Sequence, residues 1–195
     1  MSKKKTIAHH YEPRIDSADL ANYEILDWAS ADSQQARFAV LADRVELAGK
    51  SLLDIGCGLG DLWAYLQRRK ISVQYIGVDI LEKMVQAAMQ KHPGVTFTHA
   101  DIFTDSPFAG GSFDVAFCSG AFNLNLGNNM AFLASAINTM CRLARSHIVF
   151  NLLHKRARQE EHRYFFYDPA VVLKMLADSN LKEQIIDNYL PNDFT

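Results

Sequence analysis

The sequence predicts an α/β domain, a three-layer, doubly wound and mostly parallel sheet with helices on both faces. Three observations carry this. Short apolar runs recur along the chain, and each is followed by a stretch with apolar residues at helical spacing. The first run, Ser51–Ile55, passes straight into Gly56-Cys57-Gly58-Leu59-Gly60 and then into a helical pattern. The polar residues best suited to hold a ligand follow the carboxyl ends of these runs, where open parallel sheets bind.

The elements are read in order. Lys3-Lys4-Lys5 opens residues 1–13, a segment expected to be a solvated, mobile end. Residues 14–49 hold two expected helices. One is capped by Asp16 or Ser17 and runs to about Trp28. The other is capped by Asp32 or Ser33, places Phe38, Leu41, Ala42 and Val45 on one face, and ends at Gly49. Leu52, Leu53 and Ile55 give the first strand the apolar density of a central strand covered on both sides. Leu62, Trp63, Tyr65 and Leu66 dress the next helix, and Arg68-Arg69-Lys70 suit the negative pole at its end.

Val73–Val78 is the second strand, closed by Asp79-Ile80. Met84, Val85, Ala88 and Met89 mark a helix that Pro93-Gly94 stops. Val95 and Phe97 begin a third strand, which ends near His99-Ala100-Asp101-Ile102. Phe113–Cys118 is the fourth, followed by the loop Ser119–Asn125 and a long helix capped by Asn128 or Asn129. His147–Leu153 is the fifth. Asp168-Pro169 opens a helix through Asp178, and Leu181–Tyr189 reads as a sixth strand.

At 195 residues, with 49% apolar and 22% charged side chains, the chain is one domain, 1–195, with material for a real core. Within it, 50–155 reads as the ligand-binding core and 156–195 as a segment on the substrate side. A net charge of −2 argues against a general nucleic-acid partner. Absence of an apolar run near 20 residues, or of a signal peptide, argues against a membrane partner. Cys57, Cys118 and Cys141 are odd in number and scattered, which suggests reduced thiols and a cytoplasmic location. The histidines and cysteines have no metal-ligand spacing, so no metal is expected.

Glycines at 56, 58 and 60 allow a ligand to approach the backbone, and the helix behind them aims its free N–H groups at the same spot. A dinucleotide fingerprint counted from Gly56 requires a third glycine at 61, where Asp61 stands. Asp79, about 20 residues beyond the loop, is placed to accept both hydroxyl protons of a ribose diol. Dehydrogenases use the same device.

What stands here, Asp54-x-Gly56-x-Gly58-x-Gly60, resembles motif I of the class I S-adenosylmethionine-dependent methyltransferases. The resemblance spans roughly residues 50–155. Ser33–Phe38, Ser119–Asn123 and Phe150-Asn151 are similar to stretches in small members of that family. It implies S-adenosylmethionine as cofactor, with Asp54 near its methionine amino group and Gly56, Cys57, Gly58 and Gly60 beneath the methionyl-ribose portion. It further implies that Asp101 accepts from the adenine amino group, that Ile80 and Ile102 sandwich the ring, and that Ser119 lines the site through its backbone. Arg37 has two readings, a contact to the cofactor carboxylate and, the favoured one, a surface arginine. The family's sheet has a seventh, antiparallel strand between the fifth and sixth. Only Leu190–Thr195 follow the expected sixth strand, so the seventh is expected to be missing or incomplete, as in a C-terminally shortened domain. The sixth would then be poorly ordered, shifted beside the fifth, or paired with another molecule.

Methyl transfer from a sulfonium is chiefly a matter of alignment. If the acceptor needs a base, the candidates are His154, His10 and Tyr11, in segments able to border the acceptor side. The acceptor pocket is expected between His10-Tyr11, Phe122-Asn123 and His154–Tyr167. An Asn-Pro-Pro-Tyr-like motif of nucleic-acid methyltransferases is absent after the fourth strand, which favours a small-molecule acceptor. Two other readings stay open: an NAD(P)-binding oxidoreductase, opposed by Asp61 and Asp101, and an S-adenosylmethionine-binding accessory protein without catalysis. The acceptor and the oligomeric state are left unspecified.

Overall fold

The structure, a computed structural model, describes residues 2–17, 19–157, 162–177 and 182–195. Its helices are α1 (Lys3–Ile15), α2 (Asn22–Ile25), α3 (Ala31–Arg44), α4 (Asp61–Arg68), α5 (Glu82–Lys91), α6 (Asn129–Leu143) and α7 (Pro169–Leu176). Its strands are β1 (Ser51–Ile55), β2 (Gln74–Asp79), β3 (Thr96–His99), β4 (Phe113–Cys118), β5 (Ala144–Phe150), β6 (Leu152–Leu153) and β7 (Asp193–Phe194). The first five form one sheet in the order β3-β2-β1-β4-β5, every pair parallel. The chain moves outward from β1 to β3 and then returns to β4 on the other side of β1. This reversal opens a crevice at the carboxyl ends of β1 and β4.

Alternate strand residues feed two cores, as the two-residue period of a strand requires. Leu53, Ile55, Ala116 and Cys118 pack under Leu133, Ile137 and Met140 of α6. Leu52, Tyr75, Val115 and Phe117 pack against Phe38 and Leu41 of α3, Leu62 and Leu66 of α4, and Val85 and Ala88 of α5. Two helical layers around a parallel sheet are the predicted architecture.

Several elements depart from expectation. The N-terminal segment read as a mobile end is a helix, α1, with Ser2 as its N-cap. Ile7, Tyr11 and Ile15, four residues apart, share one face and pack with Ile25, Leu59, Leu81 and Met84 above the sheet. Asp16 therefore ends a helix instead of starting one. The helix expected to reach Trp28 shrinks to α2, because Asp27 takes φ 62° and turns the chain. Ser30, not Asp32 or Ser33, caps α3 in a reciprocal pair with Ser33, and α3 stops at Val45, ahead of Gly49.

The fifth strand starts at Ala144 and breaks after Phe150. Leu152-Leu153 then pair antiparallel with Asp193-Phe194. The sixth strand expected over Leu181–Tyr189 is not formed: Lys182–Tyr189 holds no strand, and Leu181 lies outside the described residues. Instead Ile186 exchanges two backbone hydrogen bonds, both 2.9 Å, with Thr195, and Ile185 packs onto the α6 core. The last helix starts at Pro169 as expected, with Asp168 accepting from the Ala170 N–H (3.0 Å). Asp178, its expected end, lies outside the described residues.

Candidate cofactor and active site

The carboxyl ends of β1 to β4 carry every residue expected to touch a cofactor. The Val78 carbonyl accepts from the Gly56 N–H (2.8 Å) and the Cys57 N–H (3.0 Å), which ties the glycine loop to β2. Gly60 enters α4 at φ 80°, a conformation that disfavours other residues. Gly77, within β2, serves the loop from below. A Cβ there would stand 2.9 Å from Cys57 Sγ and 2.6 Å from the Phe97 ring.

Asp79 braces the same loop. One of its oxygens accepts from the Gly58 N–H (3.0 Å) and the other from the Leu81 N–H (2.9 Å). Burial raises its pKa, against the pull of those backbone donors. Asp54 accepts from the Tyr75 hydroxyl (2.6 Å). Burial pushes its pKa up to about 7, against that hydrogen bond and helped by the charges of Asp79 and Asp61. Asp61 accepts from Asn22 (2.6 Å) and Gln34 (3.0 Å). Three carboxylates thus border one cleft. An electrostatic arrangement of this kind favours a cationic ligand.

That cleft, its mouth included, holds about 790 Å³ of free space. Asp54, Gly56, Cys57, Gly58, Asp79, Ile80 and Ser119 border it, together with Ile7 and Tyr11 of α1, Trp28 and Leu124. A second hollow of about 370 Å³ is lined by Ile80, Asp101, Ile102, Phe103, Phe132 and Lys3. Ile7, Gly56, Ile80 and Ala121 border both, so the two form one continuous groove. Gly60 lies behind it, facing His92 and Phe97. Asp101 is engaged by the Lys3 ammonium (2.8 Å) and the Thr104 hydroxyl (2.9 Å).

Of the three candidate bases, Tyr11 borders the cleft. Its burial, and then the charge of Asp27, hold its pKa above the ordinary phenol value. His10 stands edge-on to Tyr11 (4.6 Å between centroids), with Nε2 2.8 Å from Asp27. Asp27 also takes Arg14 (3.0 Å) and the Tyr164 hydroxyl (2.5 Å). Burial of Asp27 is outweighed by these donors, and its carboxyl sits below the usual range. His154 borders neither hollow. Its Nδ1 accepts from the Arg156 N–H (3.0 Å), its ring lies edge-on to Phe194 (5.5 Å), and burial lowers its pKa.

The expected acceptor wall is realised only in part. Tyr164 reaches Asp27, whereas Tyr167 is buried in the α6 core, its hydroxyl donating to the Phe122 carbonyl (3.0 Å), and Phe165 packs beside it. Arg37 corrects both of its readings. It is 3% exposed, forms a bidentate pair with the fully buried Asp193, and donates to the Ser33 carbonyl. Its guanidinium stacks 4.3 Å from the Trp28 ring. Trp28, Gln34, Ile7 and Lys3 were missed as groove residues. For Ile7 a signal existed, its four-residue spacing to Tyr11 and Ile15, and Gln34 lies in the stretch Ser33–Phe38 already noted for its resemblance; for Trp28 and Lys3 there was none.

Residues 52–147 match the sequence model of a methyltransferase domain. Among curated relatives, a phthiotriol/phenolphthiotriol dimycocerosates methyltransferase of Mycobacterium ulcerans is 36% identical over 76 residues, 38% of this chain and 28% of that protein. A trans-aconitate 2-methyltransferase of Acidovorax ebreus is 36% identical over 88 residues, 42% of this chain and 34% of that protein. The chain therefore spans about a third of the length of these relatives. Among solved structures, magnesium protoporphyrin IX methyltransferase from Synechocystis PCC 6803, with bound S-adenosylmethionine, superposes with a TM-score of 0.68 at 21% identity. The match covers 100% of this chain and 95% of that one. A methyltransferase from Aquifex aeolicus superposes at 0.62 and 16% identity, covering 100% and 96%.

The fold is that of the class I methyltransferases. Residues 52–147, just under half of the chain, match a methyltransferase domain, and the whole chain is similar in fold to these methyltransferase structures. Among the described residues, no helix is long and apolar enough to cross a membrane.

Proposed function

We propose that this chain binds S-adenosylmethionine in the groove and transfers its methyl group to a small-molecule acceptor. One observation carries the reading: Asp54, Asp79 and Asp101, from the ends of three adjacent strands, border one groove together with the glycine loop. The residues fit the cofactor. Each Asp79 oxygen uses one backbone donor and keeps a lone pair for a ribose hydroxyl. Asp54, facing a cavity rich in carboxylates, suits the ammonium. Ile80 and Ile102 line the hollow that holds Asp101, which suits adenine.

The bound sulfonium supplies an activated methyl carbon. The chain's part is to fix that carbon against the acceptor and to keep water out. Tyr11 and Trp28 wall the cleft for this purpose. Tyr11, whose raised pKa keeps its hydroxyl protonated, would serve an acceptor as a hydrogen-bond donor and not as a base. Among the described residues the cysteines are free thiols, which supports a cytoplasmic setting. Titration calorimetry with S-adenosylhomocysteine and NAD, followed by a methyl-acceptor screen, tests the reading. Tight binding of the first and not the second is expected. NAD binding alone would overturn it, and a ligand bound without turnover of any acceptor would point to an accessory role.

A further inference from the structure

Trp28 borders the cleft from the segment that joins α2 to α3, outside both helices. Its ring is half-buried, and no helical turn fixes its orientation. Two contacts do so instead. The benzo edge abuts Gly120, where a Cβ would stand 2.8 Å from Cη2 and 2.9 Å from Cζ2. The Arg37 guanidinium lies 4.3 Å from the ring centroid, so the indole rests on a flat cation.

That cation is itself held. Nε and Nη2 of Arg37 donate to the two oxygens of Asp193 (3.2 and 2.5 Å), and Nη1 donates to the Ser33 carbonyl. Arg37 is 3% exposed and Asp193 is fully buried. Two parallel bonds to one carboxylate set the plane of the guanidinium, and that plane sets the ring stacked on it. Asp193 belongs to β7, where it pairs with Leu153 of β6. Neither Arg37 nor Asp193 borders either hollow of the groove. Replacing so buried a pair with apolar side chains of like volume often leaves stability unchanged or raises it, so stability alone does not account for it. What apolar packing would not supply is a flat surface at one orientation beneath an indole.

We propose that Arg37 and Asp193 are positioning residues for the site, acting through Trp28, whose ring they hold as the wall that a bound ligand packs against. The inference rests on the methyltransferase reading of the groove. It adds a control on the cleft from β7, a strand outside the five-stranded sheet.

The test uses the full chain carrying Trp63→Phe, which leaves Trp28 as the single tryptophan, with S-adenosylhomocysteine as the ligand. Arg37→Met with Asp193→Leu fills the volume of the pair but offers only a flexible side chain beneath the ring. In this variant Trp28 should become several-fold more open to acrylamide quenching. Calorimetry should show the ligand bound several-fold more weakly, with a thermal melt recording that the variant folds. Trp28→Ala should weaken the ligand by a similar factor, and adding the pair replacement to it should cost no further affinity. Additive losses would overturn the inference, because the pair would then act without Trp28. Unchanged affinity in the folded pair replacement, or in Trp28→Ala, overturns it as well. If the pair replacement does not fold, Arg37→Lys decides: it keeps the charge beside Asp193 and loses the flat fork. Quenching and affinity like those of the native residue in Arg37→Lys would overturn the inference, and a several-fold change in both would support it. Failure of S-adenosylhomocysteine to bind the native protein would strike the methyltransferase reading instead. The quenching measurement would then decide by itself whether the pair holds Trp28.

Discussion

Arg37 and Asp193, 156 residues apart, meet as a buried bidentate pair, with Nε 3.2 Å and Nη2 2.5 Å from the two carboxylate oxygens. The pair fastens β7 to α3, and the stacked guanidinium fixes Trp28 at the wall of the cleft. Removing one partner strands a charge in the interior. Arg37→Met and Asp193→Leu should each cost about 3–5 kcal/mol in urea denaturation. The double variant Arg37→Met with Asp193→Leu should recover much of this loss. Additive losses would show that the pair is not coupled.

Asp79 both braces the glycine loop and faces the groove. Asp79→Ala should weaken S-adenosylhomocysteine by roughly 10- to 150-fold, the equivalent of about 1.5–3 kcal/mol for hydrogen bonds to a charged group. Calorimetry measures this. Unchanged affinity in a folded variant would mean that the carboxylate acts on the loop alone.

Asp54 carries a stability signature. Its folded pKa of about 7 lies above an ordinary carboxylate's. The folded state therefore holds a proton that the unfolded chain has already lost. Stability contributed by that proton is full near pH 4, declines as pH rises, and is gone above about 7. Asn at this position does not titrate. The stability of the native protein relative to Asp54→Asn should thus fall between about pH 4 and 7 and then level off. A flat difference across that range would refute the assignment.

If Asp54 holds the ligand's ammonium, as proposed above, that ammonium favours the ionised carboxylate, so S-adenosylhomocysteine should bind more tightly as pH rises through about 7. Asp54→Asn should flatten the profile. An equal pH dependence in both proteins would place the titrating group elsewhere.

Lys3 pairs with Asp101 at the end of the groove expected to receive adenine. Lys3→Ala frees the carboxylate from a partner that the ligand must displace. S-adenosylhomocysteine affinity should rise several-fold, most clearly at low ionic strength, where such a pair is strongest. A fall in affinity would assign Lys3 to the ligand instead.

Most of the sheet was legible because its strands are dense apolar runs with turn residues between them. Phe113–Cys118 was read to the residue; Asp79 stood out by its place beyond the second run, whereas the roles of Asp54, inside the first, and Asp101 came from the family resemblance. The N-terminal helix escaped because Lys3-Lys4-Lys5 and His9-His10 mask a narrow apolar stripe of Ile7, Tyr11 and Ile15. Leu181, Ile185 and Ile186 read as a strand, yet a strand requires a neighbour. Among the described residues, the backbone hydrogen bonds of Ile186 go to Thr195. Arg37 could not be placed from local pattern, since its burial depends on Asp193 and Trp28, which no helical periodicity relates to it.

The void beneath the glycine loop belongs to a different strand. Cys57 and Phe97 occupy the space that a side chain at position 77 would claim. The loop's three glycines make room above, for a guest, while Gly77 makes room below, for the loop itself. The recognisable signature of such a site is thus written on two strands. A search confined to the contiguous stretch Asp54–Gly60 would accept sequences in which alanine or valine at the neighbouring position lifts the loop into the space its ligand needs.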